Sequence, residues 1–217
     1  FMPGYFDKNV WYDMELDNIC LMEHYTITSN AESPSMCFPL EVFITNNTLV
    51  LMPDYIGYGV TKNMLHPYLN HELCAINSVD AFPAGYAVFK NLSVKGLKSD
   101  WKLYVTGASQ GAGNALAVHK YLDTHSDIAR NWKFAATNCS SGPYSPIKTM
   151  EKYFADGKTA LPVVFPLTLK SMLASYSELM DGFTEEMMYS STYLEVKNQI
   201  DEMISSKQYT TAEINLF

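Results

Sequence analysis

The sequence predicts an α/β fold in which helices cover a parallel sheet. Three observations support this: apolar runs typical of buried strands, amphipathic segments between them, and regular alternation of the two over residues 48–137. Strands buried on both faces read as continuous apolar runs, and strands alternating with helices form βαβ units. The chain has 217 residues, 47% apolar and 18% charged, which suits a folded domain with its own core.

The first predicted elements lie before residue 71. Residues 18–25 (NICLMEHY) are predicted as a short buried strand. Residues 48–52 (TLVLM) are predicted as a strand buried on both faces. Residues 53–70 carry glycine and proline, and we predict a loop there.

The middle of the chain supplies the alternation of helix and strand. Residues 71–92 are predicted as a helix, which Pro83 should kink or restart. Residues 101–106 (WKLYVT) are predicted as a strand and residues 110–123 as a helix. Residues 133–137 (KFAAT) are a further candidate for a buried strand.

The character of the chain changes after residue 142. Residues 143–217 hold six of the twelve methionines and show no strand-like alternation. Residues 167–180 and 193–204 have the apolar spacing of amphipathic helices. We therefore predict a sheet-containing part over residues 1–142 and a helical insertion or cap over residues 143–217.

The charge balance argues against two classes of partner. Fifteen Lys and Arg against 23 Asp and Glu give a net charge of −8. Nucleic-acid binding needs clustered cations to neutralise phosphates, and an anionic membrane surface attracts them in the same way. No segment approaches the roughly 18 consecutive apolar residues that a membrane helix needs, so we expect no integral membrane segment.

The cysteines do not point to a metal site. They form no CxxC pair and do not cluster with histidines at metal-ligand spacing. Scattered cysteines in a chain of this length are more often buried thiols than a disulfide framework. The four positions are Cys20, Cys37, Cys74 and Cys139. The sequence therefore predicts neither a metal nor another cofactor.

A serine motif lies between a predicted strand and a predicted helix. Residues 107–111 read Gly-Ala-Ser-Gln-Gly, which fits G-x-S-x-G. The pattern predicts that Ser109 is a nucleophile on a strained turn, with Gly107 and Gly111 where side chains would collide. The backbone N–H of Gln110, at the helix start, would face the developing oxyanion. The alternative is a glycine-rich turn with an incidental serine.

This motif and two further stretches resemble the α/β-hydrolase family, in particular secreted bacterial esterase or lipase-like proteins. The stretches are residues 23–26 (EHYT), residues 52–59 (MPDYIGYG) with 66–68 (HPY), and residues 107–111 with 119–121 (HKY). The resemblance covers about residues 18–145. It implies an incomplete hydrolase core within residues 1–142, with residues 143–217 as a cap or lid. It also implies a location outside the cytoplasm.

The resemblance implies further site residues. Tyr25 or Thr26 would give the second backbone N–H of the oxyanion hole, opposite that of Gln110. For Asp54 we prefer a turn-forming carboxylate to a catalytic role. Four residues are implied at the substrate pocket: His24, Tyr55, Tyr58 and Tyr144.

A serine nucleophile also needs a base and an orienting carboxylate, and this fold orders them Ser, acid, His. After Ser109 the sequence has only His119 and His125. His119 would lie roughly 15 Å along the helix that Ser109 opens, whereas a base must lie within about 3 Å of the hydroxyl. We therefore expect the acid and base to follow residue 217. On this hypothesis the chain by itself is inactive or nearly so, and the full protein is an esterase.

Three classes of function follow from these observations. The leading one is a serine-dependent carboxylic ester hydrolase acting on a small ester or a lipid-like molecule. An acyltransferase or a serine peptidase would use the same nucleophile and oxyanion hole. A non-catalytic member of the fold, acting as a binding module, is the remaining alternative.

Overall fold

A computed structural model of the chain describes residues 48–92, 96–157, 159, 161–206, 208–209 and 211–217. Within these residues the fold is mixed α/β, with a two-stranded parallel sheet and several helices. The described residues form two compact units. The first unit contains residues 48–55 and 71–144, and the second contains residues 56–70 and 145–217.

The first unit contains a parallel βαβ arrangement. Its elements are α1 (His71–Asn91), β1 (Leu103–Ala108), α2 (Gln110–Thr124), α3 (Ser126–Asn131) and β2 (Phe134–Ser140). Strands β1 and β2 are parallel, and Ala108 at the end of β1 lies opposite Ser140 at the end of β2. Helix α2 packs against both strands and against α1. The predicted strand–helix–strand alternation from residue 101 onward is therefore present.

Periodic apolar side chains form the core of the first unit. Helix α2 buries Ala115, Val118 and Leu122, whose spacing puts them on one helix face. Helix α1 buries Ala75, Val79 and Phe82 in the same way, and β1 buries Val105. Apolar surface removed from water stabilises the fold by roughly 25 cal/mol per Å². Helix α1 runs through Pro83 without interruption.

Two predictions for strands differ from the structure. Residues 48–52 belong to no strand, although Met52 is buried and the Leu51 side chain lies against Gly85 of α1. The expected burial on both faces is wrong as well, since Leu49 is 45% exposed. A strand also requires a partner for its backbone hydrogen bonds, which an apolar run does not specify. Strand β2 forms, but the expectation that it is buried is wrong. Its exposed residues are Ala135, Ala136, Asn138 and Ser140.

The described residues of the second unit after 145 form helices joined by turns and irregular segments. Its helices are α4 (Pro146–Asp156), α5 (Val164–Ser175), α6 (Ser191–Ser206) and α7 (Thr211–Leu216), with 3₁₀ turns at Gly59–Thr61 and Glu185–Met187. Helices α5 and α6 correspond to the helices predicted over residues 167–180 and 193–204. Helix α4 was not predicted individually, but its ends carry local signals. The Ser145 hydroxyl accepts from the Lys148 N–H, and Gly157 ends the helix with φ +65°.

A network of four charged side chains joins three elements of the second unit. Lys197 of α6 lies 2.6 Å from Glu185 and 2.7 Å from Asp201. Lys170 of α5 lies 3.2 Å and 3.0 Å from the same two carboxylates. The hydrogen bond to Asp201, and then that to Glu185, raise the pKa of Lys197 above its ordinary value. Two cations thus alternate with two carboxylates, and the charges cancel.

Residues 56–70 form a folded loop around His66, whose side chain is buried. Its Nδ1 lies 2.9 Å from the carbonyl oxygen of Ile56, and its ring meets that of Tyr58 edge-on. Gly57 has φ +91°, and a Cβ there would lie 2.7 Å from the His66 backbone. Only glycine suits such a position.

None of the helices in the described part of the chain combines the length and the apolar character that a membrane span requires.

Candidate active site

Ser109 occupies the turn between β1 and α2. Its backbone has φ +53° and ψ −125°, a conformation that an L-residue adopts at a cost of about 1–3 kcal/mol. The Ser109 N–H donates to the carbonyl oxygen of Ser140 at 2.9 Å, which ties the turn to the end of β2. The residue is exposed. The turn therefore presents a serine to solvent at the carboxyl ends of two parallel strands.

The glycine before this turn is a steric requirement. A Cβ on Gly107 would overlap the carbonyl oxygen of Gly111 and lie 3.0 Å from the nitrogen of Ala112. Real Cβ atoms do not approach backbone atoms so closely. The predicted reason for glycine at position 107, a collision across the turn, agrees with this geometry.

Gln110 is the first residue of α2, and its side chain is buried. Backbone N–H groups in the first turn of a helix point along the axis toward its amino end, which carries a partial positive charge. The main chain beside Ser109 thus has the polarity that stabilises a developing oxyanion.

The residues implied at the pocket lie in different places. Tyr144 follows β2 and is 47% exposed. Tyr55 is buried in the first unit beside Asn114, and its burial raises the pKa of the phenol well above the ordinary value. Tyr58 belongs to the second unit. His24, Tyr25 and Thr26 lie outside the described residues.

Each described histidine makes specific contacts of its own. His119 of α2 pairs with Asp123 at 3.5 Å, and its partly exposed ring meets that of Phe134 at the start of β2. His125 stacks on Tyr121 at the end of the same helix and donates from Nδ1 to the Tyr121 carbonyl oxygen at 2.8 Å.

His71 and Asn114 were not predicted as site residues. The Nδ1 atom of His71 lies 2.7 Å from the Oδ1 atom of Asn114. The Nε2–H group of His71 donates to the carbonyl oxygen of Pro143 at 3.1 Å. Asn114 is fully buried, and it also lowers the pKa of Cys74, which burial raises to about 12. These contacts could not be predicted from the sequence, because the partners of His71 are 43 and 72 residues away along the chain.

Within the described part of the chain, no three His, Cys, Asp or Glu side chains converge to form a possible metal site. No protein-family model, curated protein or solved structure matches this chain.

Proposed function

We propose that this chain carries the nucleophile of a serine-dependent carboxylic ester hydrolase, with an α/β-hydrolase core. The single observation that carries the proposal is the backbone conformation of Ser109. This exposed serine holds φ +53° and ψ −125° between a parallel strand and a helix. A strained backbone at an exposed polar residue is a common feature of functional sites, because the surrounding structure must maintain it.

In the proposed reaction the Ser109 Oγ attacks the carbonyl carbon of the ester while its proton passes to a general base. The carbonyl oxygen becomes an oxyanion next to the amino end of α2, where the backbone N–H of Gln110 lies. The C–O bond to the alcohol then breaks, and the alcohol leaves with a proton. Water hydrolyses the acyl-enzyme and restores Ser109. We assign the base and its orienting carboxylate to residues outside the described ones.

The substrate proposed is a small ester or a lipid-like ester. The same acyl-enzyme could pass its acyl group to an alcohol or arise from a peptide, so an acyltransferase and a peptidase remain alternatives. Hydrolysis of p-nitrophenyl esters, acyl transfer to an added alcohol and cleavage of a peptide substrate distinguish these three activities.

A non-catalytic binding module is the second candidate. The observation that favours it is that His66, His71, His119 and His125 each contact groups other than the Ser109 hydroxyl. A serine without a base is a weak nucleophile. On this alternative, the turn would contribute to a binding surface and Ser109 would not react with a substrate.

The deciding experiment uses the product of the complete gene and a fluorophosphonate probe, which attaches covalently to activated serines. We expect an adduct on the peptide that contains Ser109, and hydrolysis of p-nitrophenyl butyrate. Ser109→Ala should lower this hydrolysis at least about 1,000-fold. Ser126→Ala is the matched control, because Ser126 is an exposed serine in ordinary helical conformation. Absence of the adduct and of ester turnover in the folded protein would reject the hydrolase and favour the binding module.

A further inference from the structure

We infer that His71 is a positioning residue, which holds the Ser109 turn in place by linking α2 to the loop after β2. The inference rests on the proposed function, because it assigns a role to a residue that does not contact the reacting atoms. It explains why a strained turn persists at the junction of β1 and α2.

The two contacts of His71 are with the helix that follows the turn and with the loop that follows β2. Asn114, which contacts Nδ1, is five residues after Ser109 on α2. Pro143, which accepts from Nε2–H, is three residues after Ser140 at the end of β2. His71 itself is the first residue of α1. One imidazole therefore links the start of α1, the first turns of α2 and the loop after β2.

These contacts and the Ser109 backbone form a closed ring. The Ser109 N–H donates to Ser140, the chain continues to Pro143, and His71 connects Pro143 to Asn114. From Asn114 the first turns of α2 return to Ser109. A strained conformation persists only when its surroundings restrict every alternative, and this ring supplies that restriction.

Close packing leaves the imidazole little freedom. A Cβ on Gly113 would overlap the His71 ring and lie 2.7 Å from Nε2, so the ring rests directly on the backbone of α2. A Cβ on Gly142 would lie 2.6 Å from the Ala112 Cβ and 2.8 Å from the Gly113 nitrogen. The loop after β2 therefore touches the first turn of α2 at the point where His71 links them.

The contact with Asn114 does not require one particular charge on His71. Pro143 offers only a carbonyl oxygen, so Nε2 must carry a proton. Nδ1 faces an amide, which can offer its oxygen to a second N–H or its NH₂ group to a neutral nitrogen. The link is therefore available to both protonation states of the imidazole.

Three variants separate the two contacts. His71→Asn places an amide nitrogen near the position of Nδ1 and retains the contact with Asn114. His71→Gln reaches the position of Nε2 and retains donation to Pro143. His71→Ala removes both. The matched control is His119→Gln, which removes a partly exposed imidazole from α2.

The measurement is inactivation of the complete gene product by the fluorophosphonate, resolved into the maximal rate and the half-saturating concentration. For His71→Ala we expect the maximal rate to fall at least about tenfold, because a displaced nucleophile loses its alignment. We expect the half-saturating concentration to change less than about threefold, since His71 is not placed in the pocket. His71→Gln should recover part of the rate, and His119→Gln should match the wild type. His71→Gln replaces His71→Ala if the latter does not fold.

A folded His71→Ala variant with the wild-type maximal rate would overturn the inference. So would a rate that falls only in proportion to the unfolded fraction, since that indicates a purely structural role. If the wild-type protein itself takes up no probe at Ser109, the proposed function fails, and amide hydrogen exchange then tests His71 separately. In that case residues 111–114 should exchange at least about tenfold faster in His71→Ala while α6 stays unchanged. Equal acceleration in both regions, or none in either, would overturn the inference.

Discussion

At the residue scale, Ser109 and Gly107 depend on each other. Ser109 holds a conformation that costs about 1–3 kcal/mol, and Gly107 allows the chain to fold back so closely that its Cα meets the backbone of Gly111. A side chain at position 107 would force the turn open, whatever its chemistry. The backbone at Ser109 and the missing side chain at Gly107 therefore shape the turn, and the contacts of His71 hold it in place.

Gly107→Ala should destabilise the protein by about 2 kcal/mol or more, because its Cβ would overlap a backbone oxygen that cannot move independently of α2. It should also lower the rate at which Ser109 reacts with the fluorophosphonate. Gly96→Ala is the control, since a Cβ there meets no atom within 4 Å. Urea unfolding measures both variants, and equal stabilities would contradict this account of the turn.

A second prediction at this scale concerns the buried thiol of Cys74. Burial raises its pKa from 9.0 to about 12, and a hydrogen bond with Asn114 partly opposes this rise. Between these two values the unfolded chain loses a proton that the folded chain keeps. The free energy of unfolding should therefore fall as the pH rises above about 9, by up to about 1.4 kcal/mol per pH unit for this one group. Below pH 9 the contribution of this group is constant.

Urea unfolding at pH 7 to 11 tests the prediction. In Cys74→Ala, the free energy of unfolding should decline less steeply with pH above pH 9. The difference in slope should correspond to close to one proton, even if the variant is less stable at pH 7. Burial, and to a smaller extent the charge on Cys74, also raise the pKa of Tyr55, so Tyr55→Phe is introduced into both proteins to remove that contribution. Identical slopes for the two proteins would show that the thiol does not titrate as proposed.

At the element scale, helices α5 and α6 and the 3₁₀ turn at Glu185–Met187 are joined by the charged network. The side chains of Lys197 and Glu185 are only 15% and 14% exposed. Solvent therefore screens these pairs less than pairs on the surface. Removing one cation leaves two carboxylates close together with a single lysine between them, which is costly at partial burial.

Lys197→Met should accordingly lower the free energy of unfolding by about 1–3 kcal/mol while retaining the length of the side chain. Lys152→Met is the matched control, because the Lys152–Asp156 pair on α4 is 73% and 48% exposed. Exposed pairs contribute little, so this control should change stability by less than about 0.5 kcal/mol. Thermal unfolding at low and high salt measures the stability of both variants against that of the wild type. A control as destabilised as Lys197→Met would mean that partial burial does not strengthen the network.

At the scale of the whole molecule, the net charge of −8 restricts the possible partners. Only fifteen of 217 residues are Lys or Arg. Within the described residues, seven ion pairs join five of these cations to carboxylates: the pairs of Lys148, Lys152, Lys170, Lys197 and Arg130. Polyanions thus meet an overall repulsion.

We expect no binding of double-stranded DNA by the purified protein at 150 mM salt, and retention on an anion exchanger at pH 7.4. Fluorescence anisotropy with a labelled duplex measures DNA binding at 150 mM salt. The same titration at 50 mM salt is the control for weak electrostatic attraction. A dissociation constant below about 10 µM that weakens steeply with salt would contradict the prediction.

Much of the first unit could be predicted from the sequence. Apolar spacing located α1 and α2, and the G-x-S-x-G pattern located the turn between β1 and α2. The signals were local, since each depends on residues within a few positions of one another. The helices over residues 126–131 and 211–216 were not predicted individually, because six residues are too few to show a helical period. The helix over residues 146–156 was not predicted individually either, although its sequence is amphipathic.

By itself, the sequence determined the strand–turn–helix around Ser109 and the overall balance of charge. Sterics at Gly107 and the apolar periodicity of α2 act over neighbouring residues, so they can be predicted without knowing the fold. Only the tertiary structure decided that residues 48–52 join no strand, that β2 is exposed, and that His71 links Asn114 to Pro143. These outcomes depend on which distant segments become neighbours, and a partner 43 or 72 residues away leaves no local pattern.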